Sequence, residues 1–285
     1  MNNVRLPRLA LIAGPTASGK TALALDHAAR EPVTIINADA SQVYRDLRIL
    51  SARPSPEEER RAPHRLFGHR DGVEAYSAAA WATEAGQAVA EAWREGRLPL
   101  LVGGSGLYLR TLLDGIAPVP PIDPGVRAAV RALAAADAHR ALAAEDPPLA
   151  QRLHPNDTTR VQRALEVVRS TGRSMQAWQR GQAGGLRGRV TLEVTVTNPA
   201  VELLYKECDR RCAEMVAAGA VDEVAALLER RLDPTLPVMR AIGVRELAGH
   251  LAGEWSLDHA VRAMQQATRN YAKRQRTWFK NQPLG

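Results

Sequence analysis

Short, unbroken apolar runs recur through the first half of the chain: Leu9-Ala10-Leu11-Ile12-Ala13, Val33-Thr34-Ile35-Ile36-Asn37 and Arg97-Leu98-Pro99-Leu100-Leu101-Val102. Runs of this length, bounded by turn residues, read as strands buried on both faces. Between them the pattern changes to helical spacing, from Lys20 to about Arg30 and from about Ser77 to Glu95. The second helix carries Trp81, Val89 and Trp93 among alanines on its apolar side. Strand alternating with helix predicts a parallel, crossover-connected sheet, with ligands beyond the carboxyl ends of its strands. Thr16, Asp39 and Ser105 each lie just past such an end, so three loops are expected to converge.

The alternation breaks at Ala117-Pro118-Val119-Pro120-Pro121-Ile122-Asp123-Pro124, which reads as a domain junction. From about Pro124 to Gln179 only helical signals follow, including Asp157–Ser170 with Val161, Leu165 and Val168 on one face. Gly181–Gly188 reads as a glycine-rich return linker and Val190–Val196 as a fourth core strand. The expected division is a core over 1–117, a helical insertion over 118–188 and completion of the core over 189–285. The last part reads as helices over about Pro199–Ala218, Val221–Arg230, Arg240–Leu251 and Leu257 to Phe279, and Met1–Arg8 as a short leader. No apolar run approaches the ~20 residues of a membrane span, and no signal-peptide core is present.

The most specific chemistry lies directly behind the first strand, where Gly14-Pro15-Thr16-Ala17-Ser18-Gly19-Lys20-Thr21 forms a complete G-x4-G-K-T phosphate loop. In such a loop the peptide N–H groups point inward around a polyphosphate, and the following helix adds its positive dipole end. Lys20 supplies a mobile charge and the Thr21 hydroxyl can hold Mg2+. The motif predicts a P-loop NTPase-like α/β core, a parallel sheet flanked by helices, with a helical insertion. By itself it specifies nucleotide or other polyphosphate binding, not which one.

Charge adds a second polyanion. Formal net charge is +7 with a pI near 9.9, and its distribution is more informative than its sum. Beyond Asp258 the last helix has no acidic residue, while Arg262, Arg269, Lys273, Arg276 and Lys280 recur at helical spacing, with Arg274 beside them. Such a stripe is either a solvated face or a surface for nucleic-acid backbone. Asp39, after the second strand, either caps a turn or serves the phosphate site by orienting Mg2+ or accepting a proton. Cys208 and Cys212 sit one helical turn apart, which suits neither a relaxed disulfide nor a zinc site and reads as buried structure in a reducing cytoplasm.

From Asp39-Ala40-Ser41-Gln42-Val43-Tyr44 onward the sequence resembles the tRNA dimethylallyltransferase (tRNA isopentenyltransferase) family, bacterial type. The resemblance continues through Pro63-His64-Arg65-Leu66, Ala75-Tyr76-Ser77, Leu101-Val102-Gly103-Gly104-Ser105-Gly106-Leu107-Tyr108 and His154-Pro155-Asn156-Asp157. It extends through Arg163-Ala164-Leu165-Glu166-Val167, Thr171-Gly172, Ala241-Ile242-Gly243 and Thr268–Phe279. Their order and spacing together are specific where any single one is weak. The resemblance implies transfer of a dimethylallyl group from dimethylallyl diphosphate to N6 of adenine 37 of tRNA. The loop would then hold a diphosphate leaving group with Lys20 and a Thr21-held Mg2+, Asp39 would accept the amine proton, and Arg211 would reach the diphosphate. It also implies an adenine extruded into a channel between core and insertion. The tRNA contacts it implies are Asp39, Ala40, Ser41, Gln42, Ser105, Arg127, Asp157, Thr158, Thr159, Arg160, Val161, Arg240, Gly243, Arg245, Lys273, Arg274, Arg276 and Lys280. A cytoplasmic monomer is expected.

Three segments depart from the family pattern. Asp39-Ala40-Ser41-Gln42 stands for Asp-Ser-Arg-Gln or Asp-Ser-Ala-Leu, Asp157-Thr158-Thr159-Arg160 for Asp-Arg-Gln-Arg, and Gly104-Ser105-Gly106 for Gly-Thr-Gly. The departures bear on anticodon-loop contacts rather than on the chemistry. The zinc finger of eukaryotic members is absent before the last residue, Gly285. Two other functions use the same loop: a small-molecule or nucleotide kinase, and a non-catalytic RNA-binding ATPase. Neither kinase chemistry nor Asp39 calls for an acid-free basic terminal helix.

Overall fold

A computed structural model describes residues 6–284. Within the expected leader, residues 1–5 lie outside the described residues, and Arg8 already belongs to the first strand. Two compact units divide the chain: everything up to Leu113 together with everything from Leu186, and the segment Asp114–Gly185 between them in sequence.

The first unit is built on five parallel strands, β1 (Arg8–Ala13), β2 (Val33–Asn37), β3 (His64–Arg65), β4 (Leu98–Gly103) and β7 (Thr191–Val196), in the order β3-β2-β4-β1-β7. Register pairs Leu11 with Leu101 and with Val194, which brings the ends of β1, β4 and β7 level. The two sheet faces alternate as a pleat requires. Ala10 and Ile12 join Ile35, Leu100 and Val102 under Ala24 and Leu25 of α1 (Lys20–Ala28). Leu9, Leu11 and Ala13 join Ile36 and Leu101 on the opposite side, against Trp81, Ala85 and Val89 of α3 (Ala78–Arg94).

Trp81 is fully buried, donates its indole N–H to the Asn37 carbonyl at 2.9 Å and stacks on Tyr108 of α4 (Gly106–Asp114). That indole fixes the end of β2, two residues before Asp39. The edge strand β3 follows the short helix α2 (Pro56–Glu59) and pairs only through Ile35 with His64 and Ile36 with Arg65. The Val190–Val196 run takes the other edge of the sheet and is half-exposed.

The second unit is helical, comprising α5 (Pro124–Arg131), α6 (Ala135–Glu145), α7 (Pro147–Ala150), α8 (Thr158–Thr171) and α9 (Met175–Gln179). Its core is Val130, Ala138, Leu142, Val161 and Leu165. A two-stranded ribbon, β5 (Gly115–Ile116) with β6 (Ala183–Gly184), joins the segment's two chain ends. Those ends fall slightly ahead of the sequence boundaries at 118 and 188: β5 uses the last residues read as core, and β6 residues read as linker.

The chain returns to the first unit with α10 (Val201–Ala217), α11 (Ala220–Glu229), α12 (Val244–Leu251) and α13 (Leu257–Asn281). The helix expected from Arg240 starts only at Val244. Arg240 ends a short 3-10 turn, and Gly243 takes φ +98°, a left-handed conformation that interrupts the run. A Cβ on Gly243 would also fall 2.6 Å from Leu50 and 2.9 Å from the Met264 sulfur.

Candidate active site

Four strand ends supply one place. The phosphate loop leaves β1 at Gly14, whose φ of +151° and contact with Thr197 beyond β7 both require glycine; a Cβ would lie 2.0 Å from the Thr197 hydroxyl. Within the loop, Ser18 donates to the Pro15 carbonyl at 2.8 Å and shares a hydrogen bond with the Thr197 hydroxyl. Lys20 folds back over the loop and donates to the same Pro15 carbonyl at 2.6 Å. Burial pushes the Lys20 ammonium down to about 8; the Asp39 charge opposes that shift and the Arg211 charge adds to it.

Arg211 comes from α10 and donates to the Thr16 hydroxyl. Burial lowers its pKa too, partly offset by Cys208, Cys212 and Asp39. Asp39 sits in a tight turn after β2. Its backbone N–H donates to Asn37 Oδ1 at 2.8 Å, and its Oδ1 accepts from Ser41 N–H at 2.9 Å and from the Ser41 hydroxyl at 2.7 Å. Ser105, past β4, accepts the Ala40 N–H at 2.9 Å through its hydroxyl and so ties that turn to the next strand end. Tyr271 of α13 faces the same place. Burial and the Asp39 charge raise its phenol, against a hydrogen bond to Ser105.

Loop residues 16–21, Asp39, Arg211 and Tyr271 line a cavity of about 880 Å³ whose residues all belong to the first unit. Its lining also includes the apolar side chains of Leu50, Met215, Ile242 and Met264, among charged groups such as Arg53, Glu58 and Arg240. Sequence reasoning missed Leu50 and its neighbour Arg53, which also lines the cavity. Glu223 of α11 places that loop, accepting the N–H groups of Arg48, Ile49 and Leu50 at 2.6, 2.8 and 2.9 Å. Gln42 lines the cavity with its amide N–H groups committed to the carbonyls of Ser51 and Ala52, both at 3.0 Å. Both cysteines are free and buried, and burial pushes Cys208 up to about 11.

The other expected positions are distributed as follows. Arg240 and Arg274 line the cavity, and Arg245, Lys273 and Lys280 are exposed. Arg276 is half-buried, with Nη1 lacking a hydrogen-bond partner. The terminal helix is not acid-free in space: Asp209 of α10 pairs with Arg269 and removes that cation from the stripe. Trp278 and Phe279 pack against the core. In the second unit Arg127 and Thr159 are exposed, Thr158 is half-buried, Asp157 caps α8 through the Arg160 N–H at 3.3 Å, and Arg160 pairs back to Asp157. Val161 is fully buried in that unit's core, so its side chain is unavailable to RNA.

The phosphate loop, Lys20, Arg211 and the Asp39 carboxylate thus line one cavity. A model of the family described as IPP transferase matches residues 42–282. The tRNA dimethylallyltransferase of Sphingopyxis alaskensis is 60% identical over 276 residues, 96% of this chain and 90% of that protein. The enzyme of the same name from Erythrobacter litoralis is 56% identical over 283 residues, 97% and 89% of the two chains. Among solved structures, a eukaryotic dimethylallyltransferase acting on tRNA is similar with a TM-score of 0.83 at 28% identity, over 96% of this chain and 70% of its own. The tRNA isopentenylpyrophosphate transferase of Bacillus halodurans is similar with a TM-score of 0.69 at 32% identity, over 97% and 88%. The chain belongs to the IPP transferase family.

Proposed function

We propose that this chain transfers the dimethylallyl group of dimethylallyl diphosphate to N6 of adenine 37 in tRNA, releasing diphosphate. The observation that carries the reading is the cavity itself. Lys20, Arg211 and the Asp39 carboxylate share its lining with the apolar side chains of Leu50, Met215, Ile242 and Met264. A kinase would need the loop and Asp39 equally, but neither the apolar side chains in the lining nor the basic terminal helix. The names of the relatives at 50–60% identity support prenyl transfer over both alternatives.

In this reading the C–O bond of the donor breaks as the N6–C bond forms. Negative charge grows on the departing diphosphate, where the loop N–H groups, Lys20 and Arg211 stabilise it. The adenine amine is a poor nucleophile, and Asp39 takes its proton. Ser41 holds Asp39 Oδ1 in place while this occurs.

The donor set fits Mg2+ carried largely by the diphosphate. Thr21 lines the cavity, and among the described residues no group of three or more His, Cys, Asp or Glu side chains could cage a metal. Mg2+ commonly takes one protein oxygen, phosphate oxygens and several waters. Bound through Thr21, it would supply further neutralisation of the leaving group.

The exposed cations Lys273, Arg274 and Lys280, with Arg276, suit the tRNA backbone, and Arg127, Asp157–Arg160, Arg240 and Arg245 are further contacts in this proposal. The substrate adenine must leave its stack to reach the cavity. Reduced, unpaired thiols suit a cytoplasmic protein, and among the described residues no helix is long and apolar enough to cross a membrane. Mass spectrometry of A37 after incubation of tRNA with the protein, Mg2+ and dimethylallyl diphosphate tests substrate, donor and position together. Acceptor-dependent ADP release from ATP without prenylated tRNA would overturn the reading in favour of a kinase.

A further inference from the structure

Gln275 stands in α13 between Arg274 and Arg276, yet its side chain is only 5% exposed. Its carboxamide is used twice: Oε1 accepts the backbone N–H of Thr16 at 2.7 Å, and Nε2 donates to the Gly104 carbonyl at 2.9 Å. Thr16 belongs to the phosphate loop and Gly104 to the turn leaving β4. The two backbone groups present one donor and one acceptor, and a carboxamide answers both from one plane. Gly104 is fitted to this contact, because a Cβ there would fall 2.2 Å from Gln275 Nε2 and 2.9 Å from the Gly14 carbonyl. Each anchored residue leads straight into the site. The Thr16 hydroxyl receives Arg211, and Ser105, next to Gly104, holds the Ala40 N–H beside Asp39.

We propose that Gln275 is a positioning residue that clasps the phosphate loop to the end of β4. The clasp keeps Thr16 in reach of Arg211 and the loop N–H groups aimed at a diphosphate. The same helix presents Lys273 and Arg274 to solvent, so one element carries the surface proposed for tRNA and the fastening of the phosphate site. The inference rests on the diphosphate reading of the loop and adds to it a residue outside the motif.

The test is calorimetric titration of the full-length protein with inorganic diphosphate and Mg2+, together with steady-state kinetics. Gln275→Leu removes both bonds at similar volume. It is expected to weaken diphosphate binding and raise the donor KM by about tenfold, the scale of two net hydrogen bonds, with tRNA affinity within about twofold. Gln275→Glu supplies a readout that a purely structural role would not move. Protonated, the new carboxyl can both accept from Thr16 and donate to Gly104; ionised, it sets a charge against the Gly104 carbonyl. Its diphosphate affinity relative to wild type is therefore expected to recover as pH falls, at a midpoint raised by burial.

A folded Gln275→Leu protein that binds diphosphate as wild type does would overturn the clasp, and so would a pH-independent ratio for Gln275→Glu. The second result decides the matter if the leucine variant fails to fold. Wild-type protein that binds no diphosphate would instead overturn the reading of the loop, and the clasp's proposed purpose with it.

Discussion

Ser41 donates twice to one oxygen of Asp39, from its backbone N–H at 2.9 Å and from its hydroxyl at 2.7 Å. Both bonds end on Oδ1. Among the described residues Oδ2 has no hydrogen-bond partner in the protein, so the carboxylate is held by one oxygen only. Family members commonly place the serine one residue earlier; here the Ala40-Ser41 order puts the hydroxyl where it closes the Asp39 turn.

Asp39→Asn keeps an acceptor for Ser41 and removes the basic oxygen. Its expected effect is a loss of about 10²–10⁴ in single-turnover prenylation with little change in tRNA affinity. Ser41→Ala should cost only about five- to tenfold, because the backbone N–H still holds Oδ1. Near-normal turnover in Asp39→Asn would refute the base role.

The pH dependence of Lys20 has a definite sign. Its folded value, about 8, lies below the ordinary lysine value of 10.5, so between these two the unfolded chain binds more protons. Stability should therefore rise with pH across that window, and Lys20→Met should flatten the rise and stabilise the ligand-free protein at neutral pH. Diphosphate binding above pH 8 should be accompanied by proton uptake, detectable by calorimetry in buffers of different ionisation enthalpy. Equal heats across those buffers would contradict it.

Arg211→Lys is expected to lose about 10² in kcat despite retaining charge. A single ammonium cannot present the planar fork that reaches Thr16 and a diphosphate oxygen together. The comparison that matters is with Arg211→Gln; a lysine variant with much greater activity than the glutamine one would show that charge alone suffices.

The paired and unpaired cations of α13 should behave differently toward salt. Lys273→Ala, Arg276→Ala and Lys280→Ala should each lower the slope of log affinity against log salt for tRNA by about one. Arg269→Ala should leave the slope nearly unchanged, since Asp209 already neutralises that charge. Equal slopes in all four variants would reduce the stripe to a solvated face.

Gly243→Ala is expected to lower the melting temperature by several degrees, through a strained positive φ and a clash with Leu50 and Met264. Lost tRNA affinity at unchanged stability would instead argue for direct contact at that position.

Strands β1, β2 and β4 were legible because both faces of each are buried, which leaves an uninterrupted apolar signature. β3 was not, since two residues carry no periodicity and only its neighbour makes it a strand. The motif located Lys20 and the strand ends located Asp39 and Ser105, because their chemistry is local in sequence. The apolar part of the cavity lining was hidden for the opposite reason. Leu50 is placed by a carboxylate 173 residues away, and nothing around Glu223 marks it as a partner for three peptide N–H groups. Gln275 lies within the Thr268–Phe279 run that carries the resemblance, but an uncharged residue in a basic helix gives no sign that its amide reaches Thr16 and Gly104.

The clasp also has a consequence in time. In a chain emerging from the ribosome the phosphate loop at 14–21 is followed by Val196, which completes the four strand ends, only 175 residues later, and the amide that fastens the loop comes at position 275. Until α13 docks, the nascent protein holds a polyphosphate motif without a finished pocket. Completion of the pocket is thereby tied to the same helix that carries the basic residues proposed to meet tRNA.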